Sequence, residues 1–127
     1  MSGLSSYERV GTYGALTDAA PHAVITELLG AVLDRVARAK GGIERGEVAA
    51  KGEQIAKAID IIEGLTLSLD PERGGEIAAN LARLYDYIGY TLVRANLENN
   101  VALLDEVSAL VREIKTGWDA IPAAART

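Results

Sequence analysis

Cysteine is absent from this chain, which excludes disulfide frameworks, thiolate nucleophiles and cysteine-ligated metal sites. The absence fits a reducing cytoplasm. Phenylalanine is absent too, and aromatic residues make up only 5% of the sequence although apolar residues make up 49%. Any core must therefore be aliphatic. Proline occurs at Pro21, Pro71 and Pro122 only, each near an expected helix boundary. Basic residues are not in excess: the net charge of −5 argues against nucleic acid, whose phosphates need a basic surface, and against an anionic membrane. No apolar run approaches the ~20 residues of a membrane span. The start, Met1-Ser-Gly-Leu-Ser-Ser6, has neither the basic opening nor the apolar run expected of a signal peptide. Membrane insertion is not expected.

Catalytic groups are equally scarce. His22 is the single histidine, and the expected reading is a first-turn surface residue. Ser5, Ser6, Ser68 and Ser108 have no histidine placed to activate them. The glycine pairs at 41–42 and 74–75 match neither a P-loop nor a dinucleotide fingerprint, and helix punctuation explains them. Glu44, Arg45, Glu47, Lys51 and Glu53 read as a solvated charged region. The sequence predicts no enzyme, no metal and no cofactor.

What is present is helical. Alanine, leucine, isoleucine, glutamate and arginine dominate 127 residues, enough for a single all-α domain with one core. Residues 1–19 are expected to form an irregular arm, residues 20–121 a bundle, and residues 122–127 a frayed tail. Helix one starts at Pro21, buries Ile25, Leu28, Leu29, Val32, Val36 and Ala39, and stops at Gly41-Gly42 or soon after. Helix two, Val48 to Leu69, is expected to bury Ile55, Ile59, Ile62, Thr66 and Leu69. Helix three, Gly75 to Ala95, buries Ile77, Leu81, Tyr85, Ile88 and Leu92. Helix four carries Leu104, Val107, Val111, Ile114, Trp118 and Ile121 at core spacing. Short connections make this an antiparallel up-down four-helix bundle.

Two helices carry more than one stripe. On helix three, Asn80, Tyr87 and Thr91 share an arc roughly 80–120° from the core arc, with Leu84 bridging the two. On helix two, Gln54, Ala58, Ile61 and Leu65 form a comparable shoulder. Tyrosine pairs a large apolar body with a polar tip, so Tyr87 suits either a half-buried packing role or a partner contact. Tyr90 lies opposite the core, exposed or in contact. Asn80 and Asn96 are caps or surface residues, or carboxamides that bond the backbone of a guest.

The run Leu69-Asp-Pro-Glu-Arg-Gly-Gly-Glu-Ile-Ala-Ala-Asn-Leu-Ala-Arg-Leu-Tyr-Asp-Tyr87 and the run Ala95-Asn-Leu-Glu-Asn-Asn100 resemble the flagellar secretion chaperone FliS family. Asp18-Ala-Ala-Pro-His22, Ala50-Lys-Gly-Glu-Gln-Ile-Ala-Lys-Ala-Ile59 and Ile114-Lys-Thr-Gly-Trp118 are similar to that family as well, so the likeness covers essentially the whole chain. It differs where relatives often carry basic residues after Leu-Tyr-Asp-Tyr, since Gly89-Tyr90 stands here.

The resemblance implies a cytoplasmic chaperone that binds the disordered C-terminal segment of flagellin, prevents premature polymerisation and aids delivery to the flagellar type III export apparatus. Under it, Gln54, Ala58, Ile61, Leu65, Asn80, Leu84, Tyr87, Thr91 and Asn96 are the expected partner-binding residues. Tyr7 and Val10, in the arm, become the expected plug of an unoccupied groove, against a reading in which the arm is simply disordered. A second functional class stays open: a structural or adaptor bundle that uses the same stripe to form a homodimer.

Overall fold

A computed structural model describes residues 22–121, and these form four helices with no strand among them. They are α1 (His22–Glu44), α2 (Val48–Leu67), α3 (Pro71–Glu98) and α4 (Val101–Asp119). The expected arm and tail, Tyr7 and Val10 included, lie outside the described residues. Each helix packs on its neighbours in sequence, and α4 closes the ring against α1. This is the up-down-up-down bundle that short connections dictate.

The connections are set by local chemistry. Helix α1 runs through Gly41-Gly42, because Gly42 is a crossing point: a Cβ there would meet Lys51 Cβ at 3.1 Å and Lys51 Cα at 3.2 Å. It ends in a Schellman motif, with Glu47 N–H donating to Gly42 O at 2.8 Å and Gly46 N–H to Ile43 O at 3.1 Å. That geometry needs the left-handed φ of +70° at Gly46. At the start of α3, Asp70 Oδ1 accepts from Glu72 N–H at 3.0 Å and Arg73 N–H at 3.2 Å, and Pro71 fills the first helical position. Gly75, with φ 51° and ψ −125°, then breaks the helix, so the first turn is offset from the rest. Asn99 supplies the left-handed residue after α3, and the side chain of Asn100 caps α4 by accepting from Leu103 N–H at 3.3 Å.

The core is aliphatic, as the composition requires. Leu29, Val32 and Val36 of α1, Ile55 and Leu65 of α2, Ile88 and Leu92 of α3, and Leu104, Val107 and Val111 of α4 are almost completely buried. Tyr85 joins them, and burial pushes its hydroxyl pKa up to about 12.

Two faces differ from the sequence reading. The buried arc of α2 is Lys51, Ile55, Ala58, Ile61, Ile62 and Leu65, rotated by roughly 50° from the expected one. The reason is that α2 must bury against both α1 and α3, which centres its core between those two neighbours. Ile59 becomes half-buried and Thr66 exposed, while Lys51, expected in solvent, is only 6% exposed. On α3, Ile77 is 71% exposed, in the first turn after the Gly75 break and outside the core.

Candidate functional site

The expected partner-binding residues do not line a single groove. Gln54 faces α1, its Oε1 accepting from Arg35 Nη1–H at 3.1 Å. Ala58, Ile61 and Leu65 are core residues, so their placement on an exposed shoulder is corrected by the rotated arc of α2. Thr91 is also corrected to buried: it lies on the side of α3 that packs on α4, and its hydroxyl donates to Tyr87 O at 2.8 Å. Asn80 is exposed and accepts a hydrogen bond from the Arg83 guanidinium. Leu84 is half-buried, one turn before Tyr87. Asn96 is half-buried. Its backbone oxygen accepts from Lys51 Nζ at 3.0 Å, and its side-chain oxygen is buried without a hydrogen-bond partner among the described residues.

Tyr87 is the most exposed large apolar body of this set, and it is tied across the α3–α4 seam. Its hydroxyl donates to Glu106 Oε2 at 2.6 Å. Held first by that bond to a carboxylate, the hydroxyl pKa lies above its ordinary value. Asn80, Leu84 and Tyr87 thus form a strip beside α4, on the opposite side of α3 from α2.

The open surface lies on the other side. Between α2 and α3 runs a groove lined on α2 by Ile59, Ile62, Glu63, Thr66 and Leu67. Its α3 wall includes Arg83, Asp86, Gly89, Tyr90 and Val93. Thr66 and Ala82 continue it into a smaller trough that reaches Leu69, Pro71 and Gly75. From Gly75 to Val93 this is roughly 27 Å at about 1.5 Å per helical residue, the length of a guest helix of about 18 residues. Leu67 at 65%, Tyr90 at 62% and Val93 at 46% exposure leave large apolar side chains in solvent along it, and Leu97, one turn beyond Val93 on α3, is 78% exposed. Contiguous exposed apolar surface of this kind marks a binding face.

The sequence of residues 3–125 matches the family described as flagellar protein FliS. Similar proteins include flagellar secretion chaperone FliSB of Pseudomonas aeruginosa, 49% identical over 121 residues that cover 95% of this chain and 96% of the relative. Flagellar secretion chaperone FliS of Salmonella typhimurium is 42% identical over 94% of this chain and 90% of its own length. The Vibrio cholerae protein of the same name is 38% identical over 94% and 88%, respectively. The chain belongs to the FliS family.

FliS is a chaperone family and not an enzyme family. No helix among the described residues is long and apolar enough to cross a membrane. In this FliS-family chain, sequence reasoning missed the groove residues Asp86, Gly89, Val93 and Leu67, and assigned Ile59 and Thr66 to the core. A signal was there to be read. Tyr90, Val93 and Leu97 fall at three and four spacing on the face of α3 opposite Ile88 and Leu92, an apolar stripe with no core role.

Proposed function

We propose that this chain holds the C-terminal segment of flagellin in the cytoplasm as an amphipathic helix laid in the α2–α3 groove. Held there, the segment is kept from premature polymerisation and is available to the flagellar export apparatus. Two things support the reading: the names of the relatives, and the exposed apolar side chains of Tyr90 and Val93 on α3 in the same groove as Ile59 and Leu67 on α2. The stripe is the observation that carries it. A helix-in-groove mode uses such a surface directly, since guest side chains at i, i+3, i+4 and i+7 fill the space between two bundle helices. A guest that is disordered when free gives up part of the interaction energy on ordering, which suits a chaperone that must also release it. The strip of Asn80, Leu84 and Tyr87 is proposed as a second contact, reached by a guest that continues around α3.

Titration calorimetry of the full chain with a synthetic C-terminal segment of flagellin from the same organism tests this. Tyr90→Ala and Val93→Asp should each weaken binding about ten-fold or more, equal to about 1.4 kcal/mol or more, with no change in helicity. Native affinity in both folded variants would remove the groove from the reading. The homodimer reading uses the strip of Asn80, Leu84 and Tyr87. A tight dimer in sedimentation, unaffected by the peptide, would favour it instead.

A further inference from the structure

The α3 wall of the groove has a gap. Gly89 is half-buried in the interior of α3, and a Cβ built on it would meet no heavy atom within 4 Å. Its φ is not in the left-handed region, so the backbone does not require glycine there. Helix stability opposes it, because glycine is the poorest helix former after proline. What the missing side chain does is leave a recess in the wall. Its neighbours along α3 are Tyr85, Asp86, Tyr90 and Val93, and Ile59 and Ile62 line the same groove from α2.

Beside the recess stand two carboxylates, Glu63 on α2 and Asp86 on α3, and neither enters an ion pair among the described residues. A helix lying in the groove would remove both from water. Charges that lose solvent without gaining a partner weaken a complex. The surface therefore asks for a particular guest.

We infer that Gly89 sets the specificity of the groove. It receives a large aliphatic side chain of the guest helix, and a lysine or arginine within one turn of that side chain meets Glu63 and Asp86. The inference rests on the groove being the guest site.

Calorimetry of full-length variants with the flagellin C-terminal peptide tests it. Gly89→Leu fills the recess and should weaken binding about ten-fold or more. Gly89→Ala should raise the unfolding midpoint, since its methyl meets nothing, while weakening binding by a few-fold; it carries the test should Gly89→Leu fail to fold. An alanine scan of the peptide's large aliphatic residues should find one position whose loss is costly with the native chain and nearly neutral with the filled variant, the coupling expected of a side chain and its recess. Glu63→Gln combined with Asp86→Asn should weaken binding and flatten its dependence on salt.

Native affinity in Gly89→Leu and Gly89→Ala, with Tyr90→Ala weakened, would overturn the recess and leave the groove standing. Native affinity in all three would remove the groove and the recess together. Unchanged affinity and salt dependence in the double carboxylate variant would overturn the basic group on the guest.

Discussion

The α1–α4 seam and the α2–α3 seam both join antiparallel helices of one bundle, but they meet solvent differently. Across the first, Trp118 Nε1–H donates to His22 O at 3.0 Å, and His22 Nε2–H donates to Trp118 O at 2.7 Å. The two rings stack at 4.8 Å between centroids and 8° between planes. Thr26 donates to Asp119 at 2.8 Å, and Lys40 reaches Asp105 at 3.1 Å. The Lys115 stem lies across α1 at Gly30, with Cε 4.0 Å from where a Cβ would stand, an ordinary contact distance. Along the second seam, the bond from Lys51 Nζ to Asn96 O pins one end, and apolar side chains stand in solvent beside the groove. Both seams bury the same aliphatic core beneath them. The fold therefore does not need the open seam to be apolar at its surface, and the proposed guest is what would account for the difference.

The largest effect that bears on this contrast comes from Ile61→Asp. If the α2 shoulder were surface, the change would leave the bundle intact. Ile61 is only 9% exposed and belongs to the core, so a carboxylate there should destabilise the chain by about 4 kcal/mol. Chemical denaturation followed by circular dichroism gives the value. A loss below 1 kcal/mol would return Ile61 to the surface and undo the corrected face of α2.

Trp118→Ala should come next. It removes the ring stack and the indole N–H bond to His22 O, two of the ties between the start of α1 and the end of α4. For a half-buried tryptophan the expected loss is about 2 kcal/mol, or roughly 10 °C in the unfolding midpoint. Guest affinity should hold, because the groove lies on the opposite seam. A Trp118→Ala variant that stays stable yet loses the flagellin peptide would break the division between a closing seam and a receiving one.

Much of the closing seam was legible in the sequence, and little of the receiving one was. The α1 face of Ile25, Leu29, Val32, Val36 and Ala39 and the α4 face of Leu104, Val107 and Val111 each lie on one arc, so a helical wheel finds them. Helix α2 carries aliphatic residues on more than half its circumference, from Ile61 and Leu65 round to Ile59 and Leu67. Periodicity cannot say which of these meets a neighbour, because burial is decided by where α1 and α3 sit. The same ambiguity turned Thr91, read as a polar shoulder residue, into a buried one that satisfies its hydroxyl on its own helix. The partnership of His22 and Trp118 joins the first and last helices at one end of the bundle, and no local pattern in the sequence announces it.

The smallest effect uses acid to separate the two seams. The Asp119 carboxyl is held below its ordinary pKa, first by the hydrogen bond from Lys115 and next by that from Thr26 on α1. A carboxylate whose pKa is lowered by folding favours the folded state while ionised. Its contribution is complete above the unfolded value of about 3.9, and is lost as pH falls through the lowered folded value. Glu98 is lowered too, first by the hydrogen bond from Arg94, but that pair lies within α3 and ties no two helices together. Acid should therefore loosen the α1–α4 end, and Trp118, the single tryptophan, sits beside Asp119 to report it. Its fluorescence should shift as the pH falls below about 4, before circular dichroism records loss of helix, and Asp119→Asn should flatten that early shift. An early shift of native size in Asp119→Asn would move the acid sensitivity off this seam, and the two seams would then differ in packing alone.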